Sequence, residues 1–309
     1  MILEEVPEQW EYRRRLGEAE SKTILNVFVT WELSFEQLSG DKESRDRKEH
    51  FLSLAAHFDN TCISQRYSEA YSNRNDMDWK QIFMTRGSWD ELKYGDLVAE
   101  CKKLSLLTLF HRQADGLQFS LHPVVRDWLK VRREQEDQKP YAEEFNDLLT
   151  CYLEGVEFDT LYPQVKQETL LHIDTCMQSD RVNIGRSHTF ISEQQSNSAS
   201  LFATYYRYSR RYNNTKRLYK RALAGREEKL GPGHPDTLRT VQSLAHIYRY
   251  KRFYDDAERL HKRVLAGNEE RLGADHPGTL WTVRNFEEFL RARGRITDTN
   301  ILSTRLGED

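Results

Sequence analysis

The chain has 309 residues, enough for two domains or for one domain joined to a repeat array. Charged residues make up 31% yet nearly cancel, leaving a formal charge of −3 that excludes a general pull towards nucleic acid or anionic lipid. Aromatics at 11% exclude a disordered chain, and four scattered cysteines with no C-x-x-C pair exclude a metal ribbon or disulfide framework.

In chain order, MILEEVPEQWEYRRR lacks the apolar core of a secretory signal. Runs such as ILNVFV and LSLLTLF are too short to span a bilayer, so a cytoplasmic protein without a membrane partner is expected. Residues 22–39 predict a helix with Leu25, Phe28, Val29, Leu33 and Leu38 near one face. DKESRDRKE (41–49) predicts a solvated loop or helix start. FLSLAAHF follows with Phe51, Leu54, Ala55 and Phe58 at core spacing, and SQRYSEAYSN predicts a short helix. After a turn around Gly87, DLVAECKKLSLL predicts a helix with Leu97, Cys101 and Leu104 on one stripe.

The period then changes. LLTLFHRQADGLQFSLH holds two alternating apolar runs about Asp115-Gly116, a hairpin signal. PVVRDWLKVRRE returns to helix, with Pro123 suited to its first turn. Three helices and a hairpin are the order of a winged helix, over residues 22–137. YAEEFNDLLTCYLEG and VKQETLLHIDTCM predict a helical connector over 138–195, with a loop or boundary in 178–198.

Residues 218–238, LYKRALAGREEKLGPGHPDTL, return forty-two positions later as LHKRVLAGNEERLGADHPGTL (260–280), with fourteen of twenty-one positions identical. The copies extend both ways: Tyr206-Arg207-Tyr208 answers Tyr248-Arg249-Tyr250, and ITDTNILSTRL (296–306) falls under YDDAERLHKRV as a degenerate third unit. Each unit reads as a helix A, a short turn, a longer helix B and an L-G-x-x-H-P connection. Gly231 and Gly273 suit helix C-termini, and Pro235 and Pro277 suit helix starts. A two-helix unit at this period stacks into an α-solenoid, here residues 196–309, with Ala245 and Ala257 at close crossings and Leu244, Tyr248 and Leu260 filling the layers. The fold class is therefore mainly α: a winged-helix domain, a helical connector and an α-solenoid.

The motifs A-x-x-Y, Y-D-D-A-E-x-L-x-K-R-x-L and L-G-x-D-H-P resemble tetratricopeptide repeats of the kinesin-light-chain form. TWELSFEQL (30–38), HFLSLAAHFDNTCIS (50–64), DLVAECKKLSLL (96–107) and FSLHPVVRDWL (119–129) resemble fungal NLR-type receptors, in which a winged helix follows an NB-ARC module and precedes such repeats. By that resemblance residues 1–21 are the remnant of an NB-ARC helical subdomain, and the chain begins inside that module as a fragment or truncated relative. The resemblance also makes His122 the candidate contact to the β-phosphate of ADP, with Pro123 standing where the general pattern has aspartate. No G-x-x-x-x-G-K-[ST] is present, so neither ATP hydrolysis nor a resident cofactor is expected unless a nucleotide-binding domain is supplied.

Two readings compete at His122, a phosphate contact or a hydrogen-bonded helix cap. His234 and His276 read as turn residues, too far apart and without a third ligand for zinc. Placing Ala245 at the helix crossing turns Arg239, Gln242, His246, Arg249 and Tyr250 towards a groove, together with Trp281, Arg284 and Arg291 of the next unit and Arg207 of the preceding one. Arg207, Arg249 and Arg291 share one position in three units and would favour an acidic peptide or protein partner. The alternative is a solvated row paired with Glu or Asp of neighbouring helices. Only Asn285 stands where kinesin light chains carry groove asparagines, and no heptad coiled coil is present, so a motor subunit is not expected. Residues 91–104 balance Lys93, Lys102 and Lys103 against Glu91, Asp96 and Glu100, which leaves DNA binding through the winged helix as the alternative function. No G-x-S-x-G, H-E-x-x-H or Cys/His cluster supports an enzyme. The expected function is a non-catalytic interaction module, a truncated NLR-like receptor or adaptor whose further partner would be an intact receptor of that type.

Overall fold

The computed structural model describes residues 29–59, 61–73, 77–113, 116–132, 138–184 and 192–295. The chain divides into two compact units, Met1–Arg186 and Ser187–Asp309. The expected NB-ARC remnant, Leu25, Phe28, Asp115 and the third-unit tail at 296–306 lie outside the described residues.

The first unit opens with helix α1 over residues 29–36. Its buried face runs through Trp31 and Phe35 and continues to Leu38, while Leu33 is 42% exposed. The predicted face is thus rotated. Its cause is Trp128, whose ring meets Phe35 edge-on at 5.1 Å and Trp31 at 6.0 Å.

The charge run is a helix start: α2 spans Lys42–Ala55, with the Asp41 side chain accepting the Ser44 amide at 2.8 Å. Strand β1 (Ile63–Ser64) leads into α3 (Gln65–Ser72). A 3₁₀ turn at Asp78–Phe83 leads into β2 (Met84–Thr85) and β3 (Ser88–Trp89), which pair antiparallel. Both residues of the intervening loop, Arg86 and Gly87, have positive φ, the geometry that matches hairpin twist. Helix α4 is Glu91–Lys103, and β4 (Leu107–Gln113) and β5 (Gly116–Leu121) form the predicted hairpin. Strand β1 adds to the other edge of β5, giving the order β1-β5-β4. Helix α5 is Pro123–Arg132, with Pro123 at its first position.

An aromatic core closes this arrangement. Phe51 of α2 lies 4.9 Å from Phe83, 5.5 Å from Trp79 and 6.3 Å from Phe119 of β5, ring centroid to ring centroid. Helices α6 (Gln138–Glu154) and α7 (Pro163–Ile184) pack on the same unit. Tyr67 of α3 lies 4.5 Å from the Tyr152 ring of α6, and its hydroxyl lies 3.0 Å from Thr169 Oγ1 of α7. The Glu144 carboxylate of α6 accepts from the Trp79 indole N–H at 2.6 Å and meets His50 Nε2 at 2.8 Å.

The second unit begins earlier than the polar run at 178–198 suggests. α7 continues to Ile184, and α8 starts at Glu193 behind a reciprocal capping box of Ser192 and Gln195. Helices α8 (Glu193–Tyr208) and α9 (Tyr212–Leu230), α10 (Pro235–Tyr250) and α11 (Tyr254–Leu272), and then α12 (Pro277–Ala292) follow the repeat. Equivalent positions repeat in detail. Gly231 and Gly273 cap α9 and α11 with φ of 90° in each, and Pro235 and Pro277 open α10 and α12. Ala245 and Ala257 are fully buried at the crossing, with Leu244, Tyr248 and Leu260 packed around them. The A-to-B turns occupy residues 209–211 and 251–253, where the repeat spacing places them at 211–214 and 253–255.

Each turn holds a left-handed residue at the same place: Arg210 (φ 58°), Arg252 (φ 61°) and Gly294 (φ 72°). Two are arginines, whose Cβ crowds the following carbonyl in this region. Arg252→Gly is therefore expected to raise stability by about 0.5–1 kcal/mol, against glycine's larger loss of freedom on folding. Thermal melting would read it, and a lowered Tm would contradict the strain argument.

Candidate functional site

The A helices α8, α10 and α12 carry the predicted row. Arg249 of α10 donates through Nη1 to Glu288 Oε1 of α12 at 3.0 Å. His246 lies within electrostatic reach of Arg249, of Arg207 on α8 and of Glu288 on α12. Burial, then the two arginines, lowers the His246 pKa, with Glu288 opposing. Gln242 Nε2 donates to His246 Nε2 at 3.3 Å from the preceding turn of α10.

The other predicted residues behave differently. Arg239 is exposed and pairs with Asp236 at 2.7 Å, three residues earlier on its own helix. Gln242 is buried, with Oε1 lacking a partner. Tyr250 is turned to the A-to-B turn, where it stacks flat on Tyr212 at 5.5 Å. Trp281 and Arg284 are exposed, and Asn285 donates back to the Trp281 carbonyl of its own helix at 2.8 Å. Arg291 is exposed and pairs with Glu287 at 3.3 Å. Arg207 is half-buried, its guanidinium 4.8 Å from the Tyr208 ring. The anticipated ladder is therefore not uniform, because Arg249 and Arg291 hold glutamates and Arg207 holds a ring.

Two buried groups on the B helices were not anticipated. Arg226 of α9 is 3% exposed. It donates through Nη2 to Asn197 Oδ1 at 2.7 Å, and through Nη1 to the Asp236 carbonyl at 3.2 Å, to Ser200 Oγ at 3.4 Å and to Thr240 Oγ1. Among the described residues no carboxylate pairs with it, and burial, then Arg239, lowers its pKa. The sequence held a signal, because the second copy has Asn268 there, bonded to Thr282 at 2.8 Å.

His261 of α11 is fully buried with neither ring nitrogen hydrogen-bonded. Its ring lies 5.8 Å from His246, 5.1 Å from Phe289 and 5.5 Å from Phe286. Burial, then His246 and Arg249, pushes its pKa down to about 4. The first copy has Tyr219, whose hydroxyl lies 3.0 Å from Thr204 Oγ1.

His234 and His276 cap α10 and α12, each accepting the amide two residues on, at 3.2 and 3.0 Å. His122 does the same for α5: its Nδ1 accepts the Val124 amide at 3.3 Å, and its ring lies 6.1 Å from Trp31. Among the described residues no three His, Cys, Asp or Glu side chains converge as a metal site, and no helix is long and apolar enough to cross a membrane.

A tetratricopeptide-repeat family model matches residues 197–236 and 237–278, covering the two copies. A comparison with curated proteins returns no match. Among solved structures the chain is similar to BtubC (BKLC) from P. vanneervenii, at 12% identity and a TM-score of 0.42, over 57% of this chain and 66% of that one. This chain thus spans just under two thirds of that protein. It is also similar to a Podosopora anserina protein described as a kinesin light chain with nearly identical TPR-like repeats, and to a single-residue variant of that protein. Each gives 14% identity and a TM-score of 0.44, over 86% of this chain and 95% of that one.

Proposed function

We propose that the chain is a non-catalytic, cytoplasmic protein–protein interaction module whose A-helix face binds an acidic peptide segment of a partner. The observation that carries this reading is the excess of guanidinium groups about that face. Arg207, Arg239, Arg249, Arg284 and Arg291 stand on α8, α10 and α12, and Arg226 lies beneath Asn197 and Ser200 without a carboxylate. Guanidinium groups recognise carboxylates through paired, charge-assisted hydrogen bonds. The Arg249–Glu288 pair supports rather than opposes the reading, since an exposed pair of this kind contributes about 0–1 kcal/mol and exchanges readily for a ligand carboxylate.

In the first unit, helices α2, α3 and α4, the hairpin and the β1-β5-β4 order support a winged-helix module of an NLR-like receptor or adaptor. A DNA-reading role has less support, because α4 keeps its acids in play: Glu100 pairs with Lys48 at 2.8 Å and Glu91 pairs with Arg112 at 2.5 Å. No resident nucleotide is proposed, in keeping with His122 acting as a helix cap.

The test is capture of partner proteins on the immobilised chain beside Arg249→Glu, with calorimetry against ATP and ADP. We expect partners enriched in acidic segments that are lost at least tenfold on charge reversal, and no nucleotide heat. Partners retained equally by Arg249→Glu would reject the face. Micromolar ADP binding that disappears in His122→Ala would reject the nucleotide-free reading.

A further inference from the structure

The A-to-B turns form a second surface, apart from the A-helix face. The first reads Arg207-Tyr208-Ser209-Arg210-Arg211-Tyr212, and the second reads Arg249-Tyr250-Lys251-Arg252-Phe253-Tyr254. The two turns touch: Tyr212 and Tyr250 stack within 8° of parallel, and Lys251 Nζ donates to Asn213 Oδ1. Lys216 of α9 sits against the second turn, 4.5 Å from the Tyr248 ring and 4.8 Å from that of Phe253.

Tyr208, Phe253 and Tyr254 are exposed, and Tyr250 is 63% exposed. No acidic residue occurs in 205–216 or 248–254. Among the described residues Arg207, Arg210 and Arg252 meet no carboxylate. The third turn differs, since Ala292 replaces the tyrosine and Arg293 and Arg295 pair with Glu258 at 3.4 and 2.6 Å. The basic aromatic edge thus belongs to the first two turns.

We infer that this edge is a docking surface for an acidic polypeptide segment bearing an aromatic or aliphatic anchor. Exposed tyrosine beside arginine is the side-chain pairing that concentrates binding energy at protein interfaces. The two lysines are engaged within the chain, Lys216 with rings and Lys251 with Asn213, so the outward cations are arginines suited to carboxylate forks. Single-stranded nucleic acid is the less favoured occupant, because its affinity rests on summed phosphate neutralisation and the whole chain is net negative at −3. Arg210 and Arg252, each at left-handed φ, stand within the turns rather than on a helix. The inference rests on the interaction-module reading, yet its residues other than Arg207 and Arg249 are separate from the A-helix face.

The probe is a fluorescein-labelled dodecapeptide of aspartate and glutamate carrying one central phenylalanine, with anisotropy read on the full chain. The expected result is saturable binding that weakens roughly ten- to a hundredfold in Arg210→Glu/Arg252→Glu and roughly fivefold or more in Tyr250→Ala. The series is read in an Arg239→Glu/Arg284→Glu background, which weakens the A-helix face, so that the remaining binding reports on the turns. Circular dichroism establishes that the variants are folded, and Tyr250→Phe should retain most of the affinity. Binding abolished by Arg239→Glu/Arg284→Glu alone would overturn the edge and leave the proposed function intact. Loss in neither pair, no binding at low salt, or tighter binding of a uridine dodecamer that competes for the edge would each overturn the inference.

Discussion

Lowering the pH from about 7 towards 4 is expected to remove roughly 3 kcal/mol of stability for each of three buried histidines, His57, His172 and His261. Each has its pKa pushed down from 6.5 to about 4, chiefly by burial. His57 also feels Lys130. His172 is held neutral by geometry: its Nδ1 accepts the Asp59 amide at 3.2 Å, so the Nε2 proton faces the Cys62 carbonyl at 3.0 Å. The sign follows from the depressed values. Above pH 6.5 the folded and unfolded chains are both neutral at these sites. As the pH falls from 6.5 towards 4 the unfolded chain takes up protons that the folded chain refuses, and stability drops until the folded pKa is reached. The measurement is the urea midpoint of each unit across this window. His57→Phe in the first unit and His261→Phe in the second should flatten the curve. A slope unchanged by both substitutions would show that other groups carry the acid sensitivity.

Glu144→Ala is expected to cost about 3–4 kcal/mol, whereas Glu144→Gln costs about 1 kcal/mol. The carboxylate ties α6 to two other elements at once, through the Trp79 indole at 2.6 Å and His50 Nε2 at 2.8 Å. Alanine leaves the buried indole N–H without an acceptor and opens a void beside Tyr141, whose ring lies 4.8 Å from His50. Glutamine keeps an oxygen for the indole and the volume of the side chain. Denaturation by urea should separate the two variants by roughly thirtyfold to a hundredfold in equilibrium constant. Equal costs would mean that the tie contributes nothing beyond the volume of the side chain.

The repeat was the most legible part of the chain, because its punctuation is chemical. Gly231, Gly273, Pro235 and Pro277 can occupy few backbone positions, and the helices end and begin on them. The hairpin was legible from alternation in Leu107–Gln113 and Gly116–Leu121. Strand β1, two residues long, was not, since alternation needs more residues to register. The face of α1 was misread because Trp31 and Phe35 bury through contacts with Trp128, nearly a hundred positions away, which no local period encodes. The helix start at Glu193 was missed although Ser192 and Gln195 spell its cap, because a polar surround masked a local signal. At the candidate site, position along α10 put His246 and Arg249 on one stretch of helix but said nothing of Arg226 and His261. Those two come from B helices, and only comparison of the two copies position by position exposes them as departures.

Those departures have a consequence for how the chain finds its register. Two stretches as alike as 218–238 and 260–280 invite misassembly, in which one copy takes the other's place. The outer turns and caps are interchangeable and would not object. The buried seams are private. With α11 in the place of α9 against α8, an imidazole would meet Thr204 where a phenol hydroxyl now reaches it at 3.0 Å, and Asn268 would fall short of the contacts that Arg226 makes to Asn197 and Ser200. With α9 in the place of α11, Tyr219 would have to enter the slot bounded by His246, Phe286 and Phe289. The small differences between the copies thus serve as a lock and key within one chain, keeping each helix with its own neighbour while the shared framework repeats.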